Sequence, residues 1–137
     1  MKGKQAKRGA AIGGGSGEGT MRVLLALHSG TYDRSDDVTG AFILADTLLT
    51  EGIDTTILLR GDGVYSALQG QKPRALGLES LLEHLEAAVE MGARVVAVRE
   101  ALEERGLDRK DMPEYVELVS EADLPALMSQ HEHWMPF

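Results

Sequence analysis

The side chains able to do chemistry in this 137-residue chain are defined first by one that is missing: it has no cysteine. A thiolate nucleophile, a persulfide carrier, a redox disulfide and any cysteine-ligated zinc or iron–sulfur site are therefore excluded. The four histidines are His28, His84, His131 and His133. His28 ends an apolar run, and an imidazole is a side chain suited to an acid–base role. His131 and His133 are two apart, which on a strand turns both to one side and suits a surface or a subunit interface. His84 falls on the polar side of a helical pattern. Nothing in the spacing makes these rings converge with a carboxylate shell, so no metal site is expected. Ser29, Asp62, Tyr65 and Arg99 complete the candidates: a hydroxyl after His28, a carboxylate between Gly61 and Gly63, a ring beside it, and a cation after a β-branched run.

Several familiar arrangements are absent. Gly13-Gly14-Gly15-Ser16-Gly17 precedes the first apolar run instead of following a strand and carries no Lys-Ser/Thr pair, so it is neither a phosphate loop nor a nucleophile elbow. It reads as a flexible linker within a basic leader, residues 1–20, ahead of a domain at 21–137. No cofactor is implied.

The elements that must position these residues alternate. Arg22–His28 is a continuous apolar run, as in a strand buried on both faces. Val38, Ala41, Phe42, Ala45, Leu48 and Leu49 recur at helical spacing, behind a cap at Ser35 or Asp36 and ahead of Gly52. Asp54–Arg60 is a second strand, 61–63 a turn and Val64–Leu68 a short helix; Gly70–Gly77 is a loop. Leu78, Leu81, Leu82, Leu85, Ala88 and Val89 form a second long helix closed by Gly92. Ala93–Val98 is a third strand, Glu100–Arg105 a short helix ended by Gly106, and Tyr115–Val119 a fourth strand. A helix then runs from Ser120 to about Gln130, and His131–Phe137 makes a last edge strand held by Trp134 and Phe137. This order predicts an α/β fold: a single three-layer α/β/α sandwich with a mainly parallel sheet of about five strands. Ligands of such sheets bind beyond the carboxyl ends of the strands, which is where His28, Ser29, Asp62, Tyr65 and Arg99 fall. Several residues here also have a plain structural use: His28 as a hydrogen-bonded strand end, Asp62 as a turn former, Arg99 as an ion-pair partner of Glu103, and Ser35 and Asp36 as helix caps.

Three stretches, taken together, resemble the DsrE/DsrF-like family of intracellular sulfur relay. They are Val23–Gly30 leading into the first helix; Gly61-Asp62-Gly63-Val64-Tyr65 with Leu68-Gln69-Gly70-Gln71; and Val98–Leu107, which includes Leu102-Glu103-Glu104-Arg105-Gly106-Leu107. The resemblance implies a flavodoxin-like sandwich that assembles into trimers or hexamers, and in sulfur-carrying members a persulfide-accepting cysteine after the third strand. Val98, Arg99, Glu100 and Ala101 stand there instead. It therefore implies a non-catalytic binding or scaffold subunit, with a cysteine-bearing paralogue as a partner. A small-molecule site at the carboxyl edge, with His28 as an acid–base group, is the alternative.

Charge narrows the partners. The formal net charge is −8, and residues 1–20 hold four basic residues against one acid, so +3; residues 21–137 carry −11. A body that acidic repels phosphate backbones, so nucleic acid is not an expected partner. No apolar run approaches the roughly 18 residues of a membrane span, and no signal-peptide core follows the basic start, so a cytoplasmic location without membrane contact is expected.

Overall fold

A computed structural model of the chain describes residues 21–29 and 35–137. The expected leader, the loop from Gly30 and the capping side chains at Ser35 and Asp36 lie outside the described residues.

Five strands form one sheet: β1 (Arg22–Leu27), β2 (Asp54–Leu59), β3 (Arg94–Val98), β4 (Val116–Val119) and β5 (His133–Pro136). Their order is β4-β3-β2-β1-β5, and every neighbouring pair is parallel. The β-branched and leucine-rich runs suit this arrangement, because Val23–Leu27, Thr55–Leu59 and Val95–Val98 are buried on both faces of the sheet. The helices are α1 (Ser35–Thr50), α2 (Leu81–Glu90), α3 (Arg99–Glu104) and α4 (Leu124–Ser129). Stepping β1 to β2 to β3 to β4 in one direction with right-handed crossovers puts α1, α2 and α3 on one face; the return to β5 puts α4 on the other. Phe42 of α1 accordingly stacks on His84 of α2, with ring centroids 5.6 Å apart. From α4, Leu124 and Leu127 enter the core. The three-layer sandwich expected from the alternation is present.

Three helix ends share one device. The N–H groups of Gly52 and Ile53, of Gly92 and Ala93, and of Gly106 and Leu107 return to carbonyls three and five residues earlier, with each glycine at positive φ. The glycines at 52, 92 and 106 therefore stop helices, as the sequence indicates. At the other end of α2, the Ser80 hydroxyl accepts the Glu83 N–H at 3.2 Å, so Leu78 lies outside the helix.

Several expectations are corrected. The turn at 61–63 and the helix after it are one 3-10 helix, Gly61–Ala67. The 70–77 loop contains a second 3-10 turn at Pro73–Leu76. Trp134 does not hold the edge strand: it is 55% exposed, and Met135 and Phe137 pack against the core instead. His131 precedes β5 and is half-buried, bonded to Leu127 and Thr56, so it does not share a surface role with exposed His133. His84 is not simply on a polar face: one edge meets Glu79 at 2.8 Å while the ring covers Phe42.

Candidate functional site at the carboxyl edge of the sheet

The rim is built on the end of β1. The Leu27 carbonyl accepts the N–H of Arg60 at 3.0 Å, which brings the chain leaving β2 across the tip of β1. Gly63 then lies so close that a Cβ on it would sit 1.9 Å from the Leu27 carbonyl oxygen. Gly61 turns with φ +49°, a conformation that costs other residues energy. Only glycine fits at position 63, which gives the Gly-Asp-Gly run a physical reason.

Asp62, between them, is held by a residue that the sequence reading missed. Arg105 donates from Nε to Asp62 Oδ1 at 3.0 Å, with Nη2 also 3.0 Å from the same oxygen, while Nη1 donates to the Ala101 carbonyl at 3.0 Å. Arg105 is 20% exposed and Asp62 56%, so the pair is part-buried on one side only. It pins the loop after β2 to the end of α3. The signal was available: a six-residue helix stopped at Gly106 turns its last cation back toward the neighbouring strand's loop. The 43-residue separation hid it.

Tyr65 is half-buried, and its carbonyl accepts Gln71 Nε2 at 2.9 Å and the Leu68 N–H at 3.2 Å. Gln71 thereby closes the segment after the 3-10 helix, and the Gln69 N–H reaches the Asp111 carbonyl at 3.1 Å.

His28 is exposed, and its N–H donates to the Phe137 carbonyl at 2.9 Å, so the end of β5 anchors the start of the rim loop. Ser29 beside it is half-buried. Among the described residues, no hydrogen bond joins the His28 ring to Ser29, Asp62, Tyr65 or Arg99, so no nucleophile–base relay is assembled. No group of three or more His, Asp or Glu converges as a metal site among them either.

Arg99 opens α3 and is exposed. The expected pair with Glu103 is not formed; among the described residues Arg99 has no ion-pair partner. Connections leaving β3 and β4 go to opposite faces of the sheet, which is where open α/β sheets form their crevice. Arg99, Glu100 and Ser120 stand at that point. The Glu100 carboxylate accepts the Glu121 N–H at 2.9 Å, and the Ser120 hydroxyl accepts the Ala122 N–H at 3.1 Å. Both are occupied in starting the turn after β4. Val98 and Ala101 are buried. Of the four residues at the expected acceptor position, only Arg99 presents a free polar end.

The five candidates are thus divided. His28 and Ser29 follow β1, Asp62 is committed to Arg105, Tyr65 braces its own loop through its backbone, and Arg99 stands apart after β3. These features define a parallel α/β sandwich with a braced carboxyl rim and no cysteine.

Comparison with known proteins gives the class its family. The family model of the DsrE/DsrF-like family matches residues 21–137, and the chain belongs to that family. An uncharacterized protein of Methanopyrus kandleri is 34% identical over 110 residues, covering 80% of this chain and 88% of the relative. An uncharacterized protein of Methanocaldococcus jannaschii is 34% identical over 97 residues, 71% of this chain and 83% of that one. The crystal structure of the ychN protein from E. coli superposes with TM-score 0.67 at 20% identity, covering 86% of this chain and 99% of that chain. A protein of unknown function from Methanobacterium thermoautotrophicum gives TM-score 0.62 at 16% identity, with 85% and 99% covered. Both structural likenesses concern the fold. No helix among the described residues is long and apolar enough to cross a membrane.

Proposed function

We propose that the protein is a non-catalytic DsrE-like subunit that assembles with copies of itself, as a trimer or hexamer, and binds a partner without carrying sulfur. The observation behind this reading is the sheet's crevice. An exposed Arg99, with no ion-pair partner among the described residues, stands where the family resemblance places the thiol, and the chain has no cysteine to replace it. A guanidinium without an ion-pair partner among the described residues, on a body of charge −11, is a local contact for an anionic group. The partner that the resemblance suggests is a cysteine-bearing paralogue of intracellular sulfur relay, in the cytoplasm.

The test uses the full chain as bait in native lysate, read by mass spectrometry, with light scattering on the purified protein. Recovery of a cysteine-bearing DsrE-like protein, reduced by Arg99→Glu while self-assembly persists, supports the reading. A strict monomer that retains no partner defeats it. The second reading is a small-molecule site using His28 and Ser29 beside the Asp62–Arg105 brace, with Tyr65 and Arg99 as walls. What favours it is the exposed His28 imidazole at a strand end. A copurified ligand lost from the His28→Ala, Arg99→Ala double variant would support it over the first.

A further inference from the structure

The neutral His131 ring uses both of its nitrogens, near the amino ends of the strands and away from the rim. Nδ1 lies 2.9 Å from the Leu127 carbonyl and Nε2 lies 2.8 Å from Oγ1 of buried Thr56. A carbonyl can only accept, so Nδ1 carries the proton, Nε2 accepts, and the Thr56 hydroxyl donates. The ring therefore ties the junction of α4 and β5 to β2, the strand beyond β1.

The charges around it come from several elements. Arg22 of β1 is 3.9 Å from Asp54 of β2, and Arg94 of β3 is paired with Glu117 of β4 at 2.9 Å. Glu132, next in the chain, accepts the Arg22 N–H at 2.7 Å. Helix α4 has no ionisable side chain. Burial of the ring, together with Arg94 and Arg22, outweighs the Leu127 carbonyl and Glu132, and holds His131 below the usual histidine range. Stability from the neutral ring is complete above about pH 6.5 and is lost as the pH falls through the folded-state value.

We propose that His131 is a pH-sensitive latch whose protonation loosens the β5 edge strand and, through it, the backbone of His28 at the rim. A proton on Nε2 reverses the Thr56 contact: the hydroxyl must accept, and its own hydrogen loses its acceptor inside the sheet. The connection to the rim is covalent and short. Strand β5 ends with Phe137 N–H donating to Ala26 O at 2.8 Å and Phe137 O accepting from His28 N–H at 2.9 Å. Acid release of the β5 seat removes what holds the His28 amide.

Amide hydrogen exchange on the full chain tests this, measured at pH 7.5 and pH 5 and expressed relative to intrinsic rates. The His28 and Trp134 amides should exchange about tenfold faster at pH 5, the factor for losing roughly one hydrogen bond. His131→Gln should remove that step, and His133→Gln should retain it. Thr56→Val removes the donor to Nε2 and should move the midpoint up in pH. The same step in His131→Gln as in wild type overturns the latch. If that variant does not fold, nuclear magnetic resonance titration of wild type decides. A His131 midpoint at or above 6.5, or His28 and Trp134 protection unchanged across it, overturns the proposal; a lower midpoint tracked by both amides supports it.

Discussion

Replacing Gly63 with alanine tests the tightest contact in the rim. The added Cβ would meet Leu27 O at 1.9 Å and Leu27 C at 2.7 Å, both backbone atoms of a buried strand. Ordinary contact requires a retreat of about 1.5 Å, and β1 cannot supply it because it is hydrogen-bonded between β2 and β5. The loop after β2 must lift. It then forfeits the Arg60 N–H to Leu27 bond and strains the Gly63 N–H to Arg60 bond, about 1 kcal/mol each. It also draws Val64 and Ala67, both 0% exposed, partly out of the core, at about 1–2 kcal/mol. Alanine's stiffer unfolded chain returns about 0.5–1 kcal/mol. The net loss is about 3 kcal/mol, or roughly 12 °C in melting temperature for a domain of this size. Denaturant unfolding followed by the fluorescence of Trp134, the only tryptophan, measures it. Two controls frame the result. Gly61→Ala, at φ +49° and with no atom nearer than 3.8 Å, should lose about 1 kcal/mol. Gly40→Ala, in α1 with nothing within 4 Å, should gain about 1 kcal/mol. If Gly63→Ala proves no less stable than Gly61→Ala, the close approach to Leu27 is not what the position requires.

Arg105→Ala should cost about 1–2 kcal/mol, because it strips bonds from both Asp62 and the Ala101 carbonyl. A double-mutant cycle with Asp62→Ala should give a coupling of about 0.5–1 kcal/mol that weakens in salt, since Asp62 is largely exposed. A coupling near zero would mean that the pair does not brace the rim. Tyr115 has a buried hydroxyl without a hydrogen-bond partner among the described residues, and burial, aided by Glu86, pushes it up to about 12. Its folded-state value lies above the unfolded one, so the neutral phenol favours folding below about pH 10 and that contribution is lost as the pH rises toward 12. Tyr115→Phe should leave stability at pH 7 unchanged or slightly higher and flatten this alkaline loss; denaturant midpoints from pH 9 to pH 12 check both.

How far the sequence could be read depended on the range of the interaction. Helix ends at Gly52, Gly92 and Gly106 were legible because the closing bonds span only a few residues and demand a left-handed glycine. Buried strands were legible because both-face burial leaves unbroken apolar runs. The strand boundaries were one residue generous at His28, Arg60, Ala93 and Tyr115. The 3-10 winding of Gly61–Ala67 was not legible, because it follows from the packing of Gly63 on Leu27 and not from periodicity. For the site, the carboxyl-edge rule pointed to this rim, yet it could not say which groups were already partnered. Asp62 was claimed by Arg105, and Arg99 left unpaired, by contacts between segments distant in sequence. Trp134 was misjudged because on an edge strand alternation does not tell which side is covered, and His131 because it precedes β5 and turns to Leu127 and Thr56 instead.

The two blocks that most plainly carry the family resemblance are one structural unit. Gly61-Asp62-Gly63 supplies the carboxylate and the close approach to β1, and Leu102-Glu103-Glu104-Arg105-Gly106-Leu107 supplies the cation and the glycine stop that aims it. The Gln69 N–H, in the continuation of the first block, donates to the Asp111 carbonyl, four residues past the second. Each block thus constrains the other through an ion pair and a backbone bond, and neither needs a reacting atom to do so. A chain can keep both whatever stands at the crevice, because the bracing that shapes the rim does not depend on it. That independence is why membership of the family fixes the sandwich and its rim here, while Arg99, at the position where the resemblance places a thiol, must define its own chemistry.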